Sequence, residues 1–231
     1  MVDYLDWDSS FFGLRIAKAT VSSQKDFDEL KDNINALKEK YDLIYIFAKG
    51  DLVKQSSNVI LVDRKVVYTT KISGPYSFDT HIIEYDKSFV SEDLRNLALG
   101  SGVYSRFKKD SNFPTNAYER LYTRWIEQSV NHQIATEVFC FMIEGSPKGL
   151  LTINRKDTTC NIGLVATSPS CQGQGIGYMM LVHAKHFVYL KGYNNLNVVT
   201  QFDNKVACHL YEKAGFTVKS STDIFHWWLN K

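Results

Sequence analysis

A glycine-rich loop, residues 172–177, holds the residues of this 231-residue chain that are best suited to chemistry. An apolar strand that ends near Ala166 precedes the loop, and a helix-forming run follows it. Glycine has no Cβ, so the backbone there can bend sharply and approach a ligand closely. The first amides of the next helix have no acceptor within that helix, and the helix dipole adds partial positive charge. The stretch therefore predicts a binding site for phosphate or pyrophosphate.

The loop sequence narrows the choice of phosphate ligand. It lacks the Gly-Lys-Ser/Thr ending of a nucleoside triphosphatase loop and the Gly-x-Gly-x-x-Gly of a dinucleotide fold. Its pattern is Gln172-x-x-Gly175-x-Gly177, after a strand and before a helix. That pattern resembles the acyl-CoA pyrophosphate loop of the GNAT N-acetyltransferase superfamily. A glycine-rich turn that binds no ligand is the alternative if the loop is taken alone.

A second segment, residues 204–216, is similar to the Asn-x-x-Ala-x-x-x-Tyr-x-x-x-Gly-Phe segment of GNAT enzymes. Asn204 can cap a helix that Gly215 ends. Ala207 and Tyr211 are four residues apart and share one helix face. A capped amphipathic helix with a buried tyrosine is the alternative, but the two motifs come in the expected order and together favour the GNAT interpretation.

The resemblance implies that acetyl-CoA is the cosubstrate and Tyr211 the general acid towards the leaving thiolate. A phenol with a pKa near ~10 is mostly protonated at neutral pH and can donate. Backbone amides at the end of the strand would polarise the thioester carbonyl, and Asn204 would contact the pantetheine arm. The implied cofactor-binding residues are Leu164, Val165, Ala166, Gln172, Gly173, Gln174, Gly175, Ile176, Gly177, Asn204 and Ala207.

A narrower resemblance concerns the acceptor. The segments are Trp7-Asp8-Ser9-x-Phe11-Phe12-Gly13, Ser105-Arg106-Phe107 and Tyr122-x-x-Trp125-Ile126. They look like those of bacterial dTDP-fucosamine acetyltransferases, which implies a dTDP-linked 4-amino-sugar as acceptor. From the residues alone, 104–110 is either a solvated loop or a loop that presents Arg106 and Tyr104 to an anionic substrate. The expected acceptor-binding residues are Arg106, Tyr104 and Tyr122, with Lys108 and Lys109 as further basic residues near the phosphates.

The general base stays open at this stage. His81, His183, His186 and His209 are candidates by residue type only, and a water chain is an alternative. Cys171 and Cys208 have no histidine at a recognisable spacing, so inert thiols and direct attack by the amine are expected. No metal site is expected.

The order of elements predicts an α/β (α+β) protein of GNAT fold with a mixed, mostly antiparallel central sheet. Residues 1–86 read as a turn over 7–13, a strand over 14–21, a helix over 23–40 and strands over 43–48, 59–62 and 66–72, which predicts a small α/β domain. The resemblance implies that this domain is a truncated GNAT-like one. Residues 87–231 read as the acetyl-CoA-binding catalytic domain. Within them we expect a helix, three antiparallel strands, the glycine loop, a helix, a strand, a helix and two strands, which are 216–218 and 224–229.

The composition of the chain limits the classes of partner that it can bind. The net charge of +2 argues against a bulk binder of nucleic acid or of membrane surfaces. No apolar run suits a bilayer span, and the start of the chain lacks a signal-peptide pattern. The four cysteines suit free thiols in a reducing cytoplasm. A small-molecule nucleotide-sugar is the expected partner, and a homodimer is an open alternative for the assembly. The rival functions are a GNAT enzyme for a protein or small amine and a non-catalytic acetyl-CoA sensor.

Overall fold

The computed structural model describes residues 2–156 and 158–230. The strands are β1 Val2–Tyr4, β2 Ile16–Val21, β3 Leu43–Ala48, β4 Val59–Lys71, β5 Ile82–Glu84, β6 Glu137–Ile143, β7 Ser146–Lys156, β8 Thr159–Thr167, β9 Asn195–Gln201 and β10 Thr217–Trp228. The helices are α1 Asp6–Phe12, α2 Gln24–Asp32, α3 Ile34–Lys40, α4 Glu92–Ser101, α5 Arg106–Lys109, α6 Ala117–Val130, α7 Ile176–Leu190 and α8 Lys205–Lys213.

The strands form one sheet in the order β1-β2-β3-β10-β4-β9-β8-β7-β6-β5. The β2/β3 and β8/β9 pairs are parallel, and the other neighbours are antiparallel. The predicted α/β class with a mixed, mostly antiparallel sheet is confirmed. The parallel β8/β9 pair matters most here, because a parallel connection requires a crossover, and α7 provides it directly after the glycine loop.

Helices cover both faces of the sheet, so central strands such as β3 bury side chains on two sides. The apolar core under α1, α4, α5 and α6 includes Leu94, Leu121 and Ile126. On the opposite face, α7 and α8 cover one core and α2 and α3 cover another. The two faces thus carry different helices, and a ligand that passes between strands would meet both sets.

The sheet runs across the boundary predicted near residue 86. Strand β4 precedes that boundary, yet it lies between β10 and β9, which follow it. One core likewise joins Phe12 and Tyr45 to Leu121. The division into domains at 1–86 and 87–231 stays a prediction, and in this structure the two segments share one sheet.

Several local elements differ from expectation. The segment expected as a turn around Trp7–Gly13 is helix α1, which ends at Gly13 with φ 68°. The single helix expected over 23–40 is split at Asn33 into α2 and α3. The capping box of Ser23 and Asp26 is present. Two pairs of predicted strands are the single long strands β4 and β10.

Across the described ranges, none of the helices combines the length and the apolar character that a bilayer crossing needs.

Candidate active site

Strands β8 and β9 separate part-way along their length. They pair from Cys160 with Leu196 to Ile162 with Val198, and no further pairs follow. Beyond that point, the residues of β8 from Gly163 to Thr167 and those of β9 from Val199 to Gln201 line the same cleft. Backbone groups on the facing edges of the two strands are therefore left for a ligand.

A β-bulge decides which amides of β8 face this gap. Thr152 of β7 lies where the register shifts, and its hydroxyl accepts from the Leu164 amide at 2.8 Å. An added Cβ on Gly163 would lie 2.8 Å from the same hydroxyl oxygen, so glycine makes room for it. The Ser168 amide also points to β7, donating to Lys148 O at 2.8 Å. Because N–H directions alternate along a strand, Val165 directs its amide into the gap.

This alternation refines the expected set of carbonyl donors. Leu164, Val165 and Ala166 all line the cleft. The Leu164 amide is already bonded to Thr152, and Ala166 lies two residues further, on the same side of the strand. Of the three amides, only the one of Val165 points into the gap between β8 and β9.

The glycine loop delivers the start of α7 to the cleft. Gly173 and Gly175 have φ of 80° and 81°, a left-handed conformation that strains other residues. The first helical bond runs from the Met179 amide to Gly175 O, so the preceding amides have no helical acceptor. Gly177 permits close packing, because an added Cβ would lie 3.0 Å from Leu210 of α8. The loop and the start of α7 together leave backbone amides that can bind an anion.

Helix α8 faces the loop across the cleft. Asn204 caps it, with the side-chain oxygen accepting from the Ala207 amide at 3.2 Å. Asn204, Ala207 and Tyr211 all line the cleft. The Tyr211 ring is 2% exposed and lies 5.6 Å from the Tyr68 ring centroid. Burial is the main cause that raises the pKa of the Tyr211 phenol, and the nearby Cys208 adds to it, so the phenol stays protonated and able to donate.

The cleft has a volume of about 1310 Å³. A site for one small molecule typically measures ~300–1,000 Å³, so this cleft has room for two substrates. The loop, α7 and α8 line it on one face of the sheet. Side chains from α1, α5 and α6 line it on the other face, including Trp7, Arg106 and Tyr122.

Arg106 is the central cation of this second face. Its guanidinium carbon lies 4.6 Å from the Tyr45 ring centroid and 4.7 Å from that of Phe107. Its Nε is buried without a hydrogen-bond partner, and Arg106 takes part in no ion pair among residues 2–156 and 158–230. A guanidinium held in this way can bind a carboxylate or a phosphate through two parallel hydrogen bonds.

Tyr122 and Trp125 of α6 form the aromatic wall beside Arg106. Their ring centroids are 4.8 Å apart and tilted by 64°. Gly102 lies under the Tyr122 ring, where an added Cβ would come within 2.1 Å of it. The glycine after α4 therefore fixes how far the Tyr122 side chain extends into the cleft.

Two carboxylates that no sequence motif marks also line the cleft. Asp8 is in α1, and Asp63 is in β4. Burial raises the pKa of Asp8, with the Arg106 charge opposing it. Burial raises the pKa of Asp63 to about 6, again against Arg106. Asp63 is 7% exposed and its Oδ1 has no hydrogen-bond partner.

Some predicted residues lie elsewhere. Tyr104 is 36% exposed and outside the cleft lining, because only Arg106 and Phe107 of the short helix α5 turn inward. Lys109 pairs with Asp203 at 2.5 Å, and Lys108 lies over the Tyr118 ring. The structure therefore brings Arg106 and Tyr122 into the cleft but not Tyr104.

Gln174 lines a smaller pocket beside His81 and Met179, not the main cleft. Of the four histidines considered as bases, His209 alone lines the main cleft, and it is exposed on α8. His183 and His186 belong to α7, and burial lowers the pKa of His183. None of the four thus combines burial with a place in the main cleft.

The four cysteines are buried and unpaired. Cys171 lines the cleft, and its nearest polar contact is the Ser170 hydroxyl at 3.6 Å. The Cys208 thiol bonds weakly to Gln201 O at 3.7 Å. In the described part of the chain, no three His, Cys, Asp or Glu side chains converge as metal ligands would.

Comparison with protein families places this chain in a known family. The model of the acetyltransferase (GNAT) family matches residues 101–216, which is half of the chain. The chain belongs to the GNAT family. As a GNAT protein it is an acyltransferase, and enzymes of this family use acetyl-CoA as cosubstrate. The matched range contains the glycine loop, the β8/β9 gap and helix α8.

One curated relative of this GNAT protein is the spore coat polysaccharide biosynthesis protein SpsD of Bacillus subtilis (strain 168). The two are 26% identical over 141 residues, which cover 61% of this chain and 48% of SpsD. The chain thus spans about half the length of the curated relative that it matches.

Solved structures show the same fold at low identity. A GCN5-related N-acetyltransferase from Sphaerobacter thermophilus is 14% identical with a TM-score of 0.56, over 100% of this chain and 76% of that one. A functionally unknown conserved protein from Staphylococcus epidermidis ATCC 12228 is 16% identical with a TM-score of 0.57, over 92% of this chain and 83% of that one. The GNAT fold that the sequence predicts is confirmed.

Proposed function

We propose that this GNAT protein transfers the acetyl group of acetyl-CoA to the amine of a nucleotide-linked amino-sugar, a dTDP-4-amino-4,6-dideoxyhexose. The observation that carries the proposal is the Arg106 guanidinium, which lines the cleft without an ion-pair partner among the described residues. A cation left unpaired in a largely buried setting is suited to an anionic substrate, and a sugar nucleotide brings a diphosphate.

On the cosubstrate side, we assign the CoA diphosphate to the amides from Gln172 to Gly177. The left-handed glycines and the acceptor-free start of α7 support this assignment. The pantetheine arm would run along the open edge of β8 towards Asn204 and Ala207, both of which line the cleft.

On the acceptor side, aromatic rings surround the guanidinium. Trp7, Tyr122 and Trp125 line the cleft near Arg106 and offer flat surfaces for a nucleobase or a sugar ring. The relationship to SpsD, whose name describes spore coat polysaccharide biosynthesis, supports an acceptor from sugar metabolism. A protein amine would not need the unpaired cation.

The chemistry assigned to the chain has three parts. The Val165 amide meets the negative charge that develops on the thioester oxygen. The acceptor amine attacks the carbonyl carbon directly, since neither Cys171 nor Cys208 has a base beside it. Tyr211 protonates the departing thiolate.

A thiol-release assay with acetyl-CoA tests the proposal. The acceptor panel contains dTDP-linked 4-amino-sugars, the same free amino-sugars, small amines and peptides with a free N-terminus or lysine. We expect release with the dTDP-linked amino-sugars and much less with the free sugars. Release with peptides or small amines alone would overturn the acceptor assignment, and CoA binding without release would indicate a sensor.

We further place the enzyme in the cytoplasm, because four buried, unpaired cysteines suit a reducing compartment. A homodimer stays a prediction.

A further inference from the structure

We propose that Asp63 is the general base of the reaction and takes a proton from the acceptor amine. The inference rests on the proposed function in one respect, namely that the acceptor is an amine. The sequence offered only histidines as candidate bases, and the structure places three of those four outside the main cleft.

A β-bulge in β4 turns Asp63 towards the acceptor. Along the β4/β10 ladder, Leu61 pairs with Phe225 and Asp63 pairs with Ile224, with a register shift between the two pairs. Phe225 belongs to the core under α2 and α3, whereas Ile224 lines the cleft. In a regular strand Asp63, which is two residues after Leu61, would lie on the same face of the sheet as Leu61. The bulge therefore moves the Asp63 side chain to the face of the sheet that carries Arg106 and Tyr122. Bulges near active sites commonly redirect a side chain in this way.

The Asp63 carboxylate has capacity to accept a proton. The side chain is 7% exposed and lines the cleft, and its Oδ1 has no hydrogen-bond partner. A buried, unsatisfied carboxylate oxygen costs free energy unless a ligand or a proton meets it. An acceptor ammonium would meet it and would be oriented by it.

The charges around Asp63 suit this role. Arg106 and Lys109 face it from α5, Lys65 faces it from β4, and Asp203 faces it from the loop before α8. Burial outweighs the three cations and raises the pKa of Asp63 to about 6. Because the folded-state pKa is raised, the carboxylate is ionised above about pH 6 and neutral below it. A base of this pKa is ionised at neutral pH and still accepts a proton readily.

Protons and electrons balance in the following way. The ammonium gives one proton to the Asp63 carboxylate, and the freed lone pair forms the N–C bond to the thioester carbonyl carbon. The C–S bond breaks, and the sulfur takes the proton of Tyr211. The nitrogen loses a second proton, which restores the Tyr211 phenol, and Asp63 releases its proton to solvent.

The test measures kcat and kcat/KM for thiol release between about pH 5 and 9 with the most active amine of the panel. The kcat/KM of the wild-type protein reports groups of the free enzyme and should fall on the acid side, with a midpoint near the Asp63 pKa of about 6. Asp63→Asn should lower kcat about 100-fold at neutral pH and remove this acid limb, with the KM for acetyl-CoA unchanged. Asp8→Asn is the control, since it removes a carboxylate of the same cleft and should keep the limb.

Asp63→Asn with a kcat within about threefold of wild type and the same acid limb would overturn the inference and leave the proposed function intact. A wild-type profile without any acid limb would overturn it as well, whether or not the variant folds. Turnover with peptides alone would overturn the sugar acceptor, and the same variants would still decide the role of Asp63. Absence of thiol release with every amine would overturn both.

Discussion

Tyr211→Phe should lower kcat for thiol release by about 100-fold or more and leave the affinity for acetyl-CoA nearly unchanged. The ring keeps its contacts with Tyr68 and Phe216, so only the hydroxyl is lost. A thiolate that leaves into a buried cleft is more basic than one in water, which increases its need for a proton. Steady-state kinetics and calorimetric titration with acetyl-CoA measure the two effects separately.

Tyr68→Phe is the matched control for this variant. Tyr68 is the ring neighbour of Tyr211, but its hydroxyl donates to Glu212 at 3.0 Å and its side chain is not part of the cleft lining. The same chemical change there should leave kcat within about threefold of wild type. If both variants lose turnover alike, the loss comes from packing of α8, and Tyr211 is not the acid.

Arg106→Ala should raise the KM for the nucleotide-linked acceptor by about 10- to 100-fold, with little change in the KM for acetyl-CoA. Hydrogen bonds to a charged group contribute about 1.5–3 kcal/mol each, which corresponds to that range. The guanidinium forms no ion pair in the described chain, so its hydrogen-bond donors are available to a bound diphosphate. Initial rates at varied concentrations of each substrate give the two constants.

Lys109→Ala serves as the comparison, because it removes one positive charge from the same helix. Lys109 is held by Asp203 and lies outside the cleft lining. Its loss should change the acceptor KM by less than about threefold. Equal increases in the KM for both substrates in Arg106→Ala, or equal effects of the two variants, would contradict the assigned role of Arg106.

Local patterns in the sequence predict the loop and helix that carry the proposed cosubstrate site. The glycines of the loop, the Asn204 cap and the four-residue spacing of Ala207 and Tyr211 act within one loop or one helix. Each of these features depends on backbone conformation over a few residues, which the residue types reveal directly.

Features that depend on distant strands were not predictable in this way. The charged triplet Asp63-Arg64-Lys65 resembles a turn between two strands, which is what its sequence predicts. In the structure the triplet continues β4, since residues 222–224 of β10 pair with it and a bulge beside Asp63 absorbs the irregularity. The acidic residue inside an apolar run was the signal for Asp63, but only the partner strand gives it a direction.

Helix α1 is a second feature that depends on contacts with distant residues. Leu5 at its start makes no side-chain cap, so the local signals are limited to the acidic first turn and to Gly13 at the end. Packing holds it instead, because Phe12 lies 5.4 Å from the Phe107 ring and 4.8 Å from the Phe113 ring. The sequence therefore shows the aromatic residues of this segment, but it does not predict the helix that brings Asp8 to the cleft.

The central claim is that the loop amides bind the diphosphate of the coenzyme, and glycine-selective ¹⁵N labelling with CoA titration tests it most directly. The chain has 13 glycines, so each amide resonance can be followed. We predict that Gly173, Gly175 and Gly177 shift most, whereas Gly145 and Gly192, left-handed glycines outside the cleft, stay in place. Saturable binding of CoA without movement of the three loop resonances would contradict the account.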